Sequence, residues 1–268
     1  MDSFYRTIEA AIADITAHGF DSSARIDRWI TQIEQAARQS AMPDHVVQET
    51  MSRAMHGIYT RMVDGGGYTK IHKGVSRFTI DRLKPKLRAE LGRRIMASAE
   101  LIKLNRKQMI AQTVQRLSGW ATSIPPGGSR AVDKSEVKAS LKKSFAALPY
   151  EERRVLIDQS HKLVSELNNI IAVDGGAIAG VWHSHFRQAG YNYRPDHRAR
   201  DGKTYAIRNS WAMQAGLMNK GDGYTDEMTK PGEEVFCRCA YQFLYNLRDL
   251  PDNMLTVKGT KELARAST

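Results

Sequence analysis

Apolar residues recur at helical spacing through the first quarter of the chain. Three such stripes are present, and the first ends at Gly19, a residue type that commonly terminates helices. Because each stripe needs a partner surface, residues 1–64 are predicted to form a small helical bundle. The stripes are Phe4, Ile8, Ala11, Ile12 and Ile15; Ile26, Ile30, Ile33 and Ala37; and Val47, Met51, Met55, Ile58 and Met62.

A second helical region follows three consecutive glycines at positions 65–67, which predict a hinge or turn. Residues 81–117 then carry a long apolar stripe, with Pro85 expected near the first helical turn. We therefore predict one long helix within residues 65–121. Residues 122–130, which contain two prolines and two glycines, are predicted to be a linker.

Residues 131–250 combine helical and strand-like patterns. Helices are predicted at about 134–147 and 151–171, and short strands at 178–186, 204–208 and 235–245. In the last strand, Cys237 and Cys239 share the apolar face. The pattern predicts a small mixed α/β C-terminal module, followed by a loose tail at 251–268. The fold class is thus α+β, predominantly α-helical, with an N-terminal helical bundle and a long basic helix.

Charge is unevenly distributed along the 268 residues, whose net charge is +11. Residues 68–117 hold thirteen Lys and Arg against three Asp and Glu, which accounts for almost all of that excess. Such a concentration predicts a polyanionic partner, either the phosphates of double-stranded DNA or an acidic protein surface. Aromatic residues are sparse here, which argues against stacking on single strands. The candidate nucleic-acid-binding residues are Arg88, Arg93, Arg94, Lys103, Arg106 and Lys107.

Targeting signals are not expected from the sequence. The first residues include Asp2 and Glu9 and lack an apolar segment, so a signal peptide is not predicted. No apolar run approaches the roughly 20 residues that a membrane helix needs. The only cysteines, Cys237 and Cys239, are too close together to form a disulfide framework, and a reducing compartment is expected.

Two short sequence boxes stand out in the C-terminal region. The first contains Arg194, His197, Asp201 and Gly202, and the second contains Pro231, Gly232, Cys237, Arg238 and Cys239. In this order and spacing, they resemble the C-terminal domain of the phage Mu-F-like minor head, or head-morphogenesis, family. The resemblance covers about residues 151–246 and implies a Mu-F-like domain at 131–250.

The resemblance implies a non-enzymatic structural protein of a tailed-phage virion. Such a minor head protein is expected to bind the phage portal protein and the capsid interior, in several copies per particle. It is also expected to meet double-stranded DNA during head assembly, genome packaging or ejection. Its implied location is the portal vertex inside the capsid, and the host cytoplasm during assembly, with no membrane partner.

Histidine and cysteine residues of the same region are candidate metal ligands. His183, His197, Cys237 and Cys239 are residue types that form tetrahedral zinc sites. One residue separates the cysteines, whereas paired zinc cysteines usually have two to four between them. The alternative is that the cysteines are small buried apolar groups and that His197 is a hydrogen-bonding staple between the two boxes. No other cofactor is expected.

A metal-dependent nuclease is the alternative from another functional class. His183, His185, Asp196, His197 and Asp201 are residue types that could hold a cation and activate water. Against this, the sequence has no paired-carboxylate motif, nucleophile elbow or phosphate-binding glycine loop. The two aspartates also lie among several Arg and Lys residues, as expected for a salt-bridged turn. The sequence therefore favours a protein without catalytic activity.

Overall fold

The computed structural model describes residues 2–185, 190 and 194–266. Helices dominate this part of the chain, and a small sheet lies near its C-terminal end, which confirms the predicted fold class. The helices are α1 (Asp2–His18), α2 (Ser23–Ser40), α3 (Asp44–Tyr59), α4 (Arg77–Ala121), α5 (Lys134–Ala146), α6 (Leu148–Asp174), α7 (Pro195–Ala199), α8 (Trp211–Gln214) and α9 (Val257–Arg265). The strands are β1 (Ala179–His183), β2 (Thr204–Ala206) and β3 (Ala240–Leu244).

The first three helices follow the predicted apolar stripes. In α1 the whole stripe from Phe4 to Ile15 is buried, and the helix ends where Gly19, at φ +74°, donates its N–H to the Ile15 carbonyl at 2.8 Å. In α2, Ile33 is fully buried, whereas Ile30 is only half-buried. Helical periodicity alone was therefore sufficient to place these elements.

The segment predicted to be a linker, residues 122–130, is held against the end of α1. Gly127 donates its N–H to the His18 carbonyl and Ser129 to the Thr16 carbonyl, both at 2.9 Å. A Cβ on Gly19 would lie 1.8 Å from the Pro125 carbonyl oxygen, so only glycine permits this close approach. This Pro- and Gly-rich segment therefore forms a fixed turn.

The glycine-rich break predicted at 65–67 joins two short irregular helical turns. Thr60–Asp64 continues α3 as a π-helical turn, in which the Gly65 N–H donates to the Thr60 carbonyl at 2.7 Å. Gly66, at φ +73°, then leads into a 3₁₀ turn at Gly67–Lys70. The chain thus leaves the axis of α3 before α4 begins.

Helix α4 begins at Arg77, four residues earlier than the pattern suggested. The Ser76 hydroxyl accepts a hydrogen bond from the Thr79 N–H at 3.2 Å and so caps the helix start. Pro85 therefore lies inside the helix, and the prediction that it occupies the first turn was wrong. Because proline has no N–H, the Asp81 carbonyl lacks its usual helical donor, and Pro85 itself is exposed.

Packing divides the chain into two compact units, Met1–Met51 with Met96–Leu156, and Ser52–Ile95 with Ile157–Thr268. The divisions fall inside helices α3, α4 and α6. The first unit contains an aliphatic core that includes Ile33 and Leu117, and the second contains one that includes Leu87 and Leu167. The domain boundaries predicted near residue 64 and at residues 122–130 were based on composition and not on packing. They stay a prediction.

The C-terminal module, defined here as residues 177–266 with the gaps given above, contains the sheet. Its strand order is β2-β1-β3, and both pairings are antiparallel, with Val181 opposite Thr204 and Gln242. Strand β3 begins only at Ala240, so the predicted strand at 235–245 was wrong in its first half. Phe236 adopts φ 58°, which breaks the extended backbone, and Cys237 and Cys239 lie in the turn that precedes the strand.

The prediction of a loose tail after residue 250 was also wrong. Residues 252–254 form a 3₁₀ turn in which Met254 is buried, and α9 follows. The Thr256 hydroxyl caps α9 by accepting the Gly259 N–H at 3.0 Å. Within residues 2–185 and 194–266, no helix combines the length and apolar character that a bilayer-crossing segment requires.

Candidate metal centre

Three side chains from the two sequence boxes converge in the C-terminal module. His197 comes from α7, and Cys237 and Cys239 come from the turn before β3; we call them the His-Cys-Cys cluster. All three are buried, and their ligand atoms lie within 4.8 Å of one another. Nδ1 of His197 is 3.6 Å from the sulfur of each cysteine. In the part of the chain that the structure describes, no other group of three His, Cys, Asp or Glu side chains is so arranged.

The position of His197 is fixed by the sheet. Trp182 in β1 is fully buried and packs edge-on against the imidazole, with ring centroids 5.3 Å apart. On the same indole, the Arg200 guanidinium lies 5.1 Å from the ring centroid, and Tyr241 makes a second edge contact at 5.5 Å. Helix α7 itself starts with Pro195 at its first position, where a missing N–H has no cost.

The other imidazole nitrogen faces a carboxylate. Nε2 of His197 is 3.3 Å from Oε1 of Glu234, whose other oxygen is 2.7 Å from Nε of Arg194. The hydrogen bond from Thr229, followed by those of His197 and the Arg194 charge, lowers the pKa of Glu234 below its ordinary value. An ionised Glu234 accepts a hydrogen bond from Nε2–H, which leaves the Nδ1 lone pair directed at the two sulfurs.

The turn that carries the cysteines is built on α6. Phe236, in its left-handed conformation, donates its N–H to the buried Asp158 carboxylate at 2.6 Å. Gly232 has φ +80°, and a Cβ there would lie 2.8 Å from Cβ of Ser165. The Gly232 N–H points at the Cys237 sulfur at 3.3 Å. Glycine in the second box is therefore required both by the backbone conformation and by the close contact with α6.

The two thiols influence each other strongly. The hydrogen bond from Cys239 lowers the pKa of Cys237 to well below its ordinary value, with a further contribution from the Gly232 N–H. The same contact, together with burial, raises the pKa of Cys239. The two pKa values therefore shift in opposite directions because the buried sulfurs lie close together.

His183 does not belong to the cluster. It is the last residue of β1 and is exposed, with Nε2 3.1 Å from Oε1 of Gln242. The structure thus brings together three of the four side chains that were predicted as metal ligands. His185 lies just beyond β1 and is half-buried.

The remaining box residues stabilise the turns around the cluster. Asp201 accepts the Ser184 N–H at 2.8 Å, and Gly202, at φ +77°, donates to the Trp182 carbonyl at 2.8 Å. The Pro231 carbonyl accepts the Ser165 hydroxyl. Arg194 also donates to the Val235 carbonyl at 3.1 Å, whereas Arg238 lies exposed between the cysteines. Both boxes therefore contribute to one local structure.

The aspartates that a nuclease would use have other hydrogen-bond partners. Asp196 accepts from Arg200 at 2.9 Å, and its carboxylate lies 3.8 Å from Nε2 of His197, while Asp201 accepts the Ser184 N–H. Neither belongs to a metal-ligating group among the described residues.

Three residues that shape this centre were not among those predicted from the sequence. Glu234 lies within the second box, between Gly232 and Cys237, and its position beside a candidate ligand histidine could have been suspected. Asp158 and Trp182 carry no sequence signal, since each contacts the boxes only after the chain folds.

The predicted nucleic-acid-binding residues differ in exposure. Arg106 is buried, donating to Glu152 at 2.6 Å and to the Met42 carbonyl at 2.5 Å, so the prediction that it faces a phosphate was wrong. Arg93 and Arg94 both bond Glu90. The exposed side chains of the set are Arg88, Arg93 and Lys107, and Lys103 is half-buried beside Glu100.

Comparisons with known proteins add no relative. No protein-family model matches the chain, and neither the curated proteins nor the solved structures contain a significant match. The resemblance to the Mu-F-like family accordingly depends on the two boxes and their spacing.

Proposed function

We propose that this chain is a minor structural protein of a tailed-phage head, of the Mu-F-like type. One observation carries the proposal: the two boxes on which the resemblance depends contact each other. His197 of the first box touches both cysteines of the second, and Arg194 pairs with Glu234. Two chance sequence matches separated by about 40 residues have no reason to form a single buried cluster.

The protein acts by binding and not by turnover. Its C-terminal module holds a fixed shape through the His-Cys-Cys cluster. The basic side chains of α4 bind the portal protein, the inner capsid surface or the packaged double-stranded DNA. Several copies act in each particle, during assembly, packaging or ejection. The concentrated positive charge supports this part of the proposal, because phosphates and acidic surfaces both attract it.

Particle composition provides the direct test. Virions are purified from a lysate of the host that encodes the chain, and the chain is quantified by mass spectrometry against the portal and major capsid proteins. We expect several copies per particle and co-purification with the portal protein. A non-structural protein from the same genome serves as the control and should be absent. Absence of this chain from particles and from portal complexes would contradict the proposal.

DNA binding is tested separately by measuring affinity against salt concentration. The logarithm of affinity should fall steeply with the logarithm of salt if phosphates are neutralised. Single variants Arg88→Ala and Lys107→Ala should each reduce that slope by about 1. Lys261→Ala, which removes an exposed charge on α9, is the matched control and should leave the slope unchanged. A flat profile for the wild type would restrict the partner to protein.

A further inference from the structure

We propose that His197, Cys237 and Cys239 bind one zinc ion, which joins the first box to the second. The inference is independent of the phage role, because it concerns only how the C-terminal module is held together. It rests on the geometry of the three donors, on the groups that orient them and on the donor types.

The distances fit a metal better than a hydrogen bond. A tetrahedral zinc with Zn–S of about 2.3 Å and Zn–N of about 2.0–2.1 Å places each sulfur about 3.5–3.6 Å from the nitrogen. Both sulfur–Nδ1 distances are 3.6 Å. The single lone pair of Nδ1 accepts only one S–H, so a hydrogen bond accounts for one of these two contacts. A cation between the three atoms accounts for both.

The surrounding groups orient the donors as in metal sites. Glu234 faces Nε2 of His197 and thereby directs Nδ1 at the sulfurs, the arrangement in which a carboxylate supports a metal-bound histidine. The Gly232 N–H points at the Cys237 sulfur at 3.3 Å. The Phe236 backbone, held in a left-handed conformation by Asp158, allows two cysteines separated by one residue to face the same nitrogen. This turn explains how the short cysteine spacing still brings both sulfurs to the imidazole.

The donor types select zinc among the common cations. Metal binding displaces the two thiol protons, and the resulting buried thiolates then need the positive charge of the ion. Arg194 of the first box is directed at Glu234. Zinc neutralises both thiolates, and its preference for thiolate and imidazole distinguishes it from magnesium and calcium, which take oxygen donors. Three protein ligands leave a fourth position for a solvent molecule.

Metal analysis of the purified full-length chain tests the proposal. The wild type, prepared without chelators, should contain one zinc per chain. After exchange, cobalt should give the intense visible absorption of tetrahedral coordination and a sulfur-to-cobalt charge-transfer band. Cys237→Ser, Cys239→Ser and His197→Ala should each lose most of the bound metal, whereas His197→Cys, which retains a soft donor, should keep it. His183→Ala is the matched control, because His183 lies outside the cluster, and it should retain full metal content.

The wild type alone is decisive if a cysteine variant fails to fold. A wild-type protein that is folded by circular dichroism, yet neither carries zinc nor takes up zinc or cobalt, overturns the proposal. Loss of metal in His183→Ala with retention in His197→Ala would likewise refute these three ligands. Stoichiometric zinc with a tetrahedral cobalt spectrum that disappears in Cys237→Ser supports it.

Discussion

The first compact unit and the C-terminal module are stabilised in different ways. The first has a core of aliphatic side chains from several helices, including Ile8, Ile33 and Leu117, in which each residue makes non-directional contacts. The module has a sheet of three short strands, and Trp182 packs there with His197 and two cysteines. A core with many similar contacts tolerates local change, whereas a small one depends on a few specific side chains.

The largest expected effect is at Trp182, which is fully buried and contacts His197, Tyr241 and Arg200. Trp182→Ala should lower the free energy of unfolding by about 3–5 kcal/mol, because it removes a large buried side chain from a small module. Urea denaturation checks this, with Trp211→Ala as the matched control. Trp211 is 46% exposed, and its replacement should cost much less. Equal losses in the two variants would contradict the importance assigned to Trp182.

A cavity made on α4 should lower the stability of the first compact unit by a comparable amount. Leu117 is fully buried and Leu104 is 60% exposed, and both belong to the first compact unit. Leu117→Ala should lower the free energy of unfolding by about 2–5 kcal/mol, while Leu104→Ala should change it by no more than about 0.5 kcal/mol. Chemical denaturation of both variants measures the difference. In metal analysis, Leu117→Ala should keep the zinc content of the wild type, since the ligands lie in the other unit.

Replacing Gly232 measures how much its close contact with α6 contributes to stability. Gly232→Ala should cost roughly 2–4 kcal/mol of unfolding free energy, since it combines a left-handed φ with a Cβ 2.8 Å from Ser165. Gly216→Ala is the control, because Gly216 also has a positive φ of 66° but its Cβ would meet nothing within 4 Å. It should cost only about 1–2 kcal/mol. If the two losses were the same, the contact with α6 would have no energetic role.

The smallest effect concerns pH and involves His72, which lies outside the His-Cys-Cys cluster. His72 is fully buried and bonds the Tyr245 hydroxyl at 2.7 Å and the Asn168 side chain at 3.0 Å. Burial lowers the pKa of His72 below 6.5, so the unfolded chain takes up the proton first. The stability contributed by neutral His72 is therefore complete above pH 6.5 and is lost as pH falls below it.

Denaturation curves at a series of pH values measure this dependence. Burial also lowers the pKa of His161, so the wild type carries contributions from both residues. The difference between the wild type and His72→Gln isolates His72, and the variant should lose less stability on acidification than the wild type. A pH profile that is identical in the two proteins would contradict a buried neutral His72.

Much of the helical architecture was predictable because a helix that buries one face leaves a periodic trace in the sequence. The apolar stripe that ends before Gly19 and the one that includes Leu117 were enough to predict α1 and α4 without tertiary information. The alternation of apolar and polar residues gave a wrong prediction near the cysteines, because Phe236 turns the chain where a strand was expected. The position of Pro85 was also predicted wrongly. The helix begins eight residues before it, after the Ser76 cap, and an exposed proline is accommodated inside the helix.

By itself, the sequence determined the helical stripes, the concentration of positive charge and the identity of the two boxes, because each is a property of neighbouring residues. Only the tertiary structure decided which side chains meet. His197 contacts Cys237, which is 40 residues away in the sequence. His183, which was an equally good candidate ligand in the sequence, is exposed. Similarly, Arg106 became part of a buried ion pair although its neighbour Lys107 stayed at the surface. Contacts between residues far apart in the sequence depend on how elements pack, and no local pattern encodes that outcome.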